Sequence, residues 1–295
     1  MPGVSKAEPS SSEPRDSGPQ RIVSINLCTD ELLLRLVTPD RVAGMTKFSD
    51  DPEVSTVAKL SQGVRKIPGN IESVLACEPD LVLGGRFNGK ETLHFFRYSD
   101  IPVLIFDVAK SFEDIYGDIR RLADAVGERQ KGERIIREMQ EDLAELNPGT
   151  THGVGPFQHP VLEGLNRAVF FQSDNYVPGE GTFENAVMEA AGFRNIAAEL
   201  GIRDYGRIDL ERLIDARPDV IIYSSEQRNS KTVRGEVLGH PAIKKALPDV
   251  RIVTIPTLYL SCGSPVSVEA VRILAKAARA SPLGVGSSDS LREDS

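Results

Sequence analysis

The sequence predicts an α/β fold of two lobes with mostly parallel sheets, joined by one long interlobe α-helix. Three observations support this class: short apolar runs alternate with helical patterns, the same alternation restarts after residue 160, and a long charged helical segment separates the two halves. Strands that alternate with helices form βαβ units and therefore a parallel sheet. The predicted boundaries are a disordered leader over 1–20, an N-terminal lobe over 21–126, an interlobe helix over 127–147, a C-terminal lobe over 148–280 and a flexible tail over 281–295.

Size and charge exclude several classes of protein. A chain of 295 residues with 40% hydrophobic residues can bury the cores of two ordinary domains. No run approaches the roughly 18–20 apolar residues that span a bilayer, so we expect no transmembrane helix. The formal net charge of −8 argues against a nucleic-acid partner, because binding to phosphates needs a basic surface.

The two ends of the chain differ in composition from the rest. Residues 1–20 are rich in Pro, Ser and Glu and contain no apolar segment, which predicts a disordered leader. We interpret this leader as an expression remnant or as the stub left after a signal is removed. The tail that begins at Ser281 is rich in glycine and serine, and we expect it to be equally loose.

The N-terminal lobe is predicted from four strand patterns and three helical patterns. Continuous apolar runs are typical of strands that are buried on both faces of a parallel sheet. We expect Thr29 or Asp30 to cap the first helix. The predicted strands are Arg21–Leu27, Val42–Thr46, Leu81–Leu83 and Val103–Phe106, and the predicted helices are Asp30–Leu36, Ile71–Cys77 and Lys90–Tyr98.

The C-terminal lobe repeats this alternation. Gly192 follows one helical pattern directly, and glycine is a typical residue at the end of a helix. The last helical pattern carries its apolar residues on one face. The predicted strands are Ala168–Gln172, Val220–Tyr223 and Arg251–Ile255, and the predicted helices are Phe183–Ala191, Asp209–Ala216, Pro241–Ala246 and Val266–Arg279.

Two helical segments lie between the halves. Ser111 is a candidate N-cap of the first, with Asp114 as the acidic partner of a capping box. Gly127 interrupts the pattern, and Glu128–Leu146 then carries a single apolar stripe on a highly charged surface. A helix of this length extends for roughly 28 Å, which suits a strut along two lobes. An ordinary surface helix of one domain is the alternative.

An internal repeat supports two lobes that are built alike. Residues 70–83 align with residues 209–222 without a gap. Each copy has a favourable N-cap, Asn70 or Asp209, and a glutamate at the second helical position, near the positive end of the helix dipole. Each copy then has Pro-Asp before an apolar strand, because proline cannot continue a helix.

A wider set of motifs is spread over about residues 20–280. It comprises the opening Arg21-Ile-Val-Ser-Ile, the unit from Glu72 to Pro79-Asp80-Leu-Val-Leu, Gly181-Thr182-Phe183 with Ala191-Gly192 and Asn195-Ile196-Ala197, and the unit from Glu211 to Pro218-Asp219-Val-Ile-Ile. This set resembles the cobalamin and iron-siderophore periplasmic binding proteins of ABC importers. The resemblance implies two Rossmann-like lobes, a rigid interlobe helix, and a ligand cleft that closes only modestly.

The resemblance also implies a function. A protein of this family is the periplasmic or extracytoplasmic component of an importer, binds an iron chelate (siderophore), haem or a corrinoid such as cobalamin, and delivers it to a membrane permease. We therefore expect a monomer that binds a small molecule, with no catalysis and no catalytic cofactor. The alternatives are a zinc- or manganese-binding protein of the same superfamily and an enzyme with two Rossmann-like lobes.

The predicted ligand cleft lies at the carboxyl ends of the parallel strands, where the loops of such sheets contact ligands. A large flat ligand needs aromatic faces and a few polar anchors. The resemblance points to the same loops and directs Phe48, Arg86, Tyr205 and Tyr259 toward the ligand. The chain departs from the cobalamin binders in having no tryptophan for the cleft. The predicted ligand-binding residues are Asn26, Cys28, Phe48, Arg86, Phe87, Tyr176, Tyr205, Tyr259 and Cys262.

Three cysteines are too few for a disulfide framework or a zinc cluster. Cys28 and Cys262 fall on cleft-side loops of opposite lobes. They could be facing thiols, a pair of ligands for a soft metal or haem, a disulfide, or two unremarkable loop residues. Cys77 lies in a helical pattern, where a buried small hydrophobe is the simplest interpretation.

Acidic residues on each lobe are candidates for docking to the permease. In the family that this chain resembles, an exposed acidic residue on each lobe contacts arginines of the permease. Glu211 matches the position in the second lobe, and Glu91 is the first choice for the first lobe, with Glu72 in reserve. The alternative is that all three are solvated carboxylates stabilised by a helix dipole.

The sequence offers little for the competing functions. A bare metal site needs converging ligands, but the four histidines, His94, His152, His159 and His240, are scattered, so we predict no metal site. The chain has no Gly-x-Gly-x-x-Gly after the first strand, no Walker phosphate loop and no Gly-x-Ser-x-Gly motif. Gly153-Val-Gly155 is only a weak indication of an enzyme. A scaffold or adhesin would not require matched lobes around a cleft.

Overall fold

Parallel sheets dominate the structure. The computed structural model describes residues 18–87, 90–147, 166–172, 175–224 and 241–279. Within these ranges the chain forms two four-stranded sheets and a separate two-stranded ribbon. All strand pairs in the two larger sheets are parallel. The predicted α/β class with two lobes is confirmed.

The N-terminal half supplies the first sheet. Its strands are β1 (Ile22–Ser24), β2 (Val42–Gly44), β3 (Leu81–Gly85) and β4 (Val103–Phe106), and its helices are α1 (Leu27–Leu36), α2 (Ile71–Leu75), α3 (Lys90–Arg97) and α4 (Phe112–Val126). The strand order is β2-β1-β3-β4. Every residue of β1 is buried, as expected for an inner strand with both faces covered.

The chain then turns back in a helical hairpin. The capping box predicted at the start of α4 is present, because Ser111 Oγ accepts from the Asp114 N–H and the Asp114 side chain accepts from the Ser111 N–H. α4 ends at Gly127, which has a φ of 80°. Glycine adopts this left-handed conformation without a steric penalty. The next helix, α5 (Arg129–Leu146), packs against α4.

The C-terminal half supplies the second sheet and the ribbon. Its strands are β5 (Arg167–Phe170), β6 (Tyr176–Pro178), β7 (Arg194–Asn195), β8 (Tyr205–Arg207), β9 (Val220–Ser224) and β10 (Arg251–Ile255), and its helices are α6 (Phe183–Ala190), α7 (Ile196–Glu199), α8 (Leu210–Ala216), α9 (Pro241–Ala246) and α10 (Ser267–Arg279). The sheet order is β10-β9-β5-β7, and β6 pairs with β8 in antiparallel fashion.

The repeated sequence segment occupies equivalent positions in the two sheets. The first copy forms α2 and the inner strand β3, and the second forms α8 and the inner strand β9. Asn70 accepts from the Ser73 N–H, and Asp209 accepts from the Arg212 N–H, so both predicted caps are confirmed. The first-sheet order β2-β1-β3-β4 corresponds to β7-β5-β9-β10 in the second.

Helix α5 contacts both halves. Its stripe of Ile136, Met139 and Leu143 is buried. The helix packs against α4 on one side and against α10, the last described helix, on the other. One hydrophobic cluster includes these residues together with core residues of both sheets. The packing supports a strut along two lobes rather than a surface helix of one domain.

Arg41 fixes the junction between α4 and α5 to the N-terminal half. Its side chain is buried, and Nη1 lies 3.0 Å from Oε1 of Glu128, the residue that precedes α5. Nη2 donates to the carbonyl of Val126 at 2.6 Å, and Nε donates to the carbonyl of Pro19 at 3.0 Å. The hairpin that leads into the second half is therefore anchored by a buried cation.

Several predicted element boundaries are wrong. The strand predicted at Arg21–Leu27 ends at Ser24, and α1 begins at Leu27 rather than after a cap at Thr29 or Asp30. Asn26 is the N-cap, because its Oδ1 accepts from the backbone N–H groups of Cys28 and Thr29. The apolar run continued into the first turn of the helix and hid this early start. The short elements β6, β7, α7 and β8 were not predicted.

Some predictions fall outside the described residues. These include the leader up to residue 17, the tail over 281–295, His152, His159, His240 and the glycine pair Gly153 and Gly155. None of the helices in the described ranges is both long enough and apolar enough to cross a bilayer.

Candidate functional site

The carboxyl ends of three strands of the first sheet meet at a cavity. Its volume is about 90 Å³. The loops after β1, β3 and β4 form most of the wall, and the segment after β10 completes it. Four of the predicted ligand-binding residues line the cavity, namely Asn26, Cys28, Arg86 and Phe87. Asp107 and Val108, which follow β4 directly, also line the cavity.

A disulfide closes this cavity on one side. Cys28 in α1 and Cys262 in the segment after β10 are bonded, with 5.1 Å between their Cα atoms. Of the alternatives left open by the sequence, the structure selects the disulfide, so neither residue is a thiol ligand for a soft metal or haem. Cys262 is buried, whereas Cys28 lines the cavity. Cys77 is a buried free cysteine, as predicted.

Hydrogen bonding and close packing hold the same segment against the first half. Ser264 Oγ donates to Oε2 of the buried Glu31 at 3.2 Å. Gly263 lies so close to the first half that a Cβ there would approach the Ala109 Cβ to 2.5 Å. A side chain at this position would therefore displace the segment from the cavity wall. The segment that follows β10 thus belongs structurally to the cleft of the first half.

Two ion pairs involve residues of the cavity wall. Arg86 Nη1 lies 3.0 Å from Asp107 Oδ1, and both side chains are exposed. Arg121 stacks over the Phe106 ring at 5.0 Å and pairs with Asp118 at 3.3 Å. Burial raises the pKa of Asp118 to about 6, against the opposing effect of Arg121. The cavity wall in the first half therefore contains both charged side chains and an aromatic ring.

A buried carboxyl group positions the segment that carries Phe48. Asp30 Oδ2 accepts from the Thr46 N–H at 3.2 Å and from Thr46 Oγ1 at 2.5 Å. Burial raises the pKa of Asp30 to about 7. Thr46 begins the turn at Lys47–Asp50, so α1 and the turn after β2 are tied together. The Phe48 ring, 53% exposed, is held at the carboxyl end of β2.

The ribbon of β6 and β8 presents polar and aromatic side chains of the second half. Tyr176 pairs with Arg207 and Pro178 with Tyr205 across the ribbon, so these residues share one face. Val177 on the opposite face is fully buried. The Arg207 guanidinium stacks over the Tyr176 ring at 4.5 Å. The outer face of the ribbon is therefore a platform of two tyrosines and an arginine.

Glu184, in the first turn of α6, orients Tyr205. The Tyr205 hydroxyl donates to Glu184 Oε2 at 3.1 Å, and Gln172 Nε2 donates to Oε1 at 3.0 Å. Burial raises the pKa of Glu184, and burial together with the neighbouring carboxylate raises the pKa of Tyr205. The phenol ring stays half exposed while its hydroxyl is held at one edge.

Two contacts connect the platform with the first half. Lys110, in the loop after β4, lies 2.8 Å from Asp204, the residue before β8. Phe112 at the start of α4 meets Phe183 at the start of α6 with 5.5 Å between ring centroids. The platform and the cavity of the first half therefore flank the same line of contact between the two halves. We call this line of contact the seam.

The predicted site residues divide into four groups in the structure. Asn26, Cys28, Arg86 and Phe87 line the cavity, and Tyr176 and Tyr205 form the platform. Phe48 is exposed but is not part of the cavity wall. Tyr259 is partly buried against the hydrophobic core, and Cys262 is buried in the disulfide.

Sequence reasoning missed Val108, Lys110, Glu184 and Arg207. The rule that ligands contact the loops at the carboxyl ends of parallel strands could have named Val108. This residue follows β4 by two residues and is 66% exposed. Arg207 and Glu184 had no such signal, because the ribbon was not predicted and Glu184 reaches Tyr205 only through the packing of α6.

The described residues contain no cluster of three or more His, Cys, Asp or Glu side chains that could hold a metal ion. The His94 ring contacts the Tyr98 ring in a tilted arrangement, with 4.9 Å between ring centroids.

Sequence comparison identifies relatives across most of the chain. The profile of the family described as "Periplasmic binding protein" matches residues 22–256. A cobalamin-binding protein of Halobacterium salinarum is 24% identical over 267 residues, which cover 89% of this chain and 70% of the relative. A vitamin B12-binding protein of Pectobacterium atrosepticum is 23% identical over 211 residues, covering 69% and 71% of the two chains.

Solved structures show the same fold. The periplasmic heme-binding protein RhuT from Roseiflexus sp. RS-1, in apo form, superposes with a TM-score of 0.68 at 25% identity and covers 89% of this chain and 100% of its own. The periplasmic vitamin B12-binding protein BtuF of Vibrio cholerae superposes with a TM-score of 0.62 at 17% identity, covering 87% and 97% of the two chains.

Proposed function

The chain belongs to the periplasmic binding protein family, and from this premise we propose that it is the extracytoplasmic substrate-binding component of an ABC importer. It binds an iron chelate, haem or a corrinoid in the cleft between its lobes and delivers the ligand to the membrane permease, without catalysing a reaction. The relatives named as cobalamin-, vitamin B12- and heme-binding proteins support this range of ligands. The lobe limits are those predicted from the sequence, 21–126 and 148–280.

One observation carries the proposal: aromatic side chains from both halves flank one seam. Phe87 of the first half is 68% exposed and lines the cavity, and the Tyr205 ring of the second half is 52% exposed on the platform. Exposed aromatic rings at a concave site are typical of surfaces that bind large apolar ligands. The cavity itself is smaller than the roughly 300–1,000 Å³ of small-molecule sites. A macrocycle would therefore lie mainly between cavity and platform.

The ligand is tested by a thermal-shift and titration screen with hemin, cyanocobalamin and a ferric siderophore. A ligand of the native state raises the melting temperature by mass action. We expect at least one of the three to bind and Tyr205→Ala to weaken that binding by about 1–3 kcal/mol. Tyr98→Ala, which removes an exposed tyrosine of the turn after α3, is the matched control and should bind normally. A wild-type protein that binds none of these ligands would contradict the proposal.

Glu72 and Glu211 are the pair that we propose for docking to the permease. They occupy the same position in α2 and α8, which are equivalent helices of the two halves, and both are exposed. Glu91 is also exposed but lies in the first turn of α3, outside the repeated segment. The equivalence favours Glu72 over Glu91, because a permease with two similar subunits would contact equivalent surfaces.

We expect Glu211→Lys and Glu72→Lys to leave ligand affinity unchanged and to weaken stimulation of the importer's ATPase in proteoliposomes. Charge at the rim of an interface mainly steers association and sets the docking register. Glu91→Lys separates the two first-lobe candidates: full stimulation by this variant supports Glu72, whereas a loss equal to that of Glu211→Lys restores Glu91. A loss of ligand binding in Glu211→Lys would contradict a docking role.

A zinc- or manganese-binding protein of the same superfamily is the alternative to this proposal. The aromatic and cationic side chains at the seam suit a larger chelate better.

A further inference from the structure

The disulfide joins the two halves of the molecule at the wall of the cavity. Cys28 lies in the first turn of α1, a helix of the first half. Cys262 lies between β10 and α10, which both belong to the second half. The bond therefore connects the halves a second time, in addition to the chain connection through α4 and α5.

The segment between β10 and α10 also has noncovalent contacts with the first half. Ser264 Oγ donates to Glu31 Oε2 at 3.2 Å, and Gly263 lies close to the side chains of Ala109 and Ile115. None of these contacts involves a sulfur atom, so they remain available when the disulfide is reduced. A segment that is held by a few noncovalent contacts opens more readily than one that is held covalently.

The two sulfur atoms differ in their access to solvent. Cys28 is partly exposed and lines the cavity, whereas Cys262 is only 3% exposed. Thiol–disulfide exchange begins when a thiolate attacks a sulfur atom that it can reach. A thiolate that enters the cavity therefore reaches Cys28, and Cys262 is the sulfur that leaves.

We propose that the bond between Cys28 and Cys262 is a thiol–disulfide exchange site, at which reduction by a dithiol weakens ligand binding. Reduction leaves the segment after β10 without its covalent hold, and Ser261 and Gly263 of this segment form part of the cavity wall. The proposal rests on the function proposed above and adds a form of regulation to the same cleft.

The exchange transfers two electrons in two steps. A thiolate of the dithiol attacks Cys28 Sγ, the bond to Cys262 breaks, and Cys262 leaves as a thiolate that takes up a proton. The second thiol of the reductant, as its thiolate, then attacks the reductant sulfur of the mixed disulfide, and Cys28 leaves as a thiolate that is protonated in turn. The reductant ends as a disulfide and the chain as two thiols.

Thermodynamic linkage gives the proposal a quantitative form. If reduction weakens ligand binding by some factor, the bound ligand must make the disulfide harder to reduce by the same factor. A tenfold factor lowers the reduction potential of this two-electron couple by about 30 mV. A ligand that merely shields Cys28 would slow reduction and leave the potential unchanged.

The test uses the variant Cys77→Ala, because Cys77 is a free buried thiol that would complicate thiol counting. The probes are cyanocobalamin, gallium(III) protoporphyrin IX and a gallium(III) siderophore, since dithiols do not reduce gallium. Each is titrated into the oxidised and the reduced protein. The reduction potential is then measured in dithiothreitol buffers with and without the probe that binds. The matched control lacks the bond through Cys28→Ala and Cys262→Ala.

We expect reduction to weaken binding of that probe by about tenfold, within the usual range of coupling between two sites. The probe should lower the reduction potential by the corresponding 30 mV or so. The control should bind like the reduced protein and should not respond to reductant. Two measurements need no ligand: a monothiol should be trapped on Cys28 rather than Cys262, and amide exchange over residues 257–266 should be faster after reduction.

Several results would overturn the inference while the proposed function stands. These are equal or tighter binding after reduction, a reduction potential that the bound probe does not change, and a monothiol adduct on Cys262 instead of Cys28. If no probe binds in either redox state, the proposed function fails and redox control of the cleft fails with it.

Discussion

Removal of the disulfide between Cys28 and Cys262 is expected to destabilise the protein by about 2–5 kcal/mol. The bond joins residues that are 234 positions apart, so it restricts the unfolded chain over most of its length. In a chain of this size we expect the melting temperature to fall by about 5–15 °C. The comparison is between the oxidised protein, the reduced protein and the double variant Cys28→Ala with Cys262→Ala, by calorimetry.

The double variant also supplies the control, because a reductant should not change its melting temperature. If the wild-type melting temperature is unaffected while thiol labelling shows both cysteines to be reduced, the bond has no stabilising role. A second effect of removal is expected in the cleft. The segment with Ser261 and Gly263 forms part of the cavity wall, so its release should also weaken ligand binding.

Arg41→Ala should be the next most damaging change, with a loss of about 2–4 kcal/mol in the free energy of unfolding. The substitution leaves the carbonyl of Val126 without its buried donor and removes the partner of Glu128. Buried groups that lose their partner cost more than the interaction itself contributes, because water cannot replace the lost contact. Urea denaturation monitored by circular dichroism measures this loss.

Arg129→Ala is the matched control for this variant. Arg129 pairs with Asp124 at 2.7 Å beside the same junction of α4 and α5, but both side chains are largely solvent-exposed. Exposed ion pairs contribute about 0–1 kcal/mol, so this variant should be nearly as stable as the wild type. Equal losses in the two variants would mean that burial of Arg41 is not what makes its contacts strong.

The sequence by itself determined the class of the fold and its internal symmetry. The caps at Asn70 and Asp209, the capping box at Ser111 and the stop at Gly127 are confirmed. Each depends on hydrogen bonds or backbone conformations within a few residues, which the local sequence specifies. The gapless repeat was sufficient to predict two similar halves, because it marks the same helix and inner strand in each sheet.

The tertiary structure alone decided how the halves meet. The pairing of Cys28 with Cys262, the contact of Lys110 with Asp204 and the bond from Tyr205 to Glu184 join residues that local patterns do not relate. The rule that ligands bind at the carboxyl ends of parallel strands located the cleft, because all parallel strands of a sheet end at one edge. It could not locate Arg207, since the orientation of the ribbon follows from packing across the chain and not from any short-range signal in the sequence.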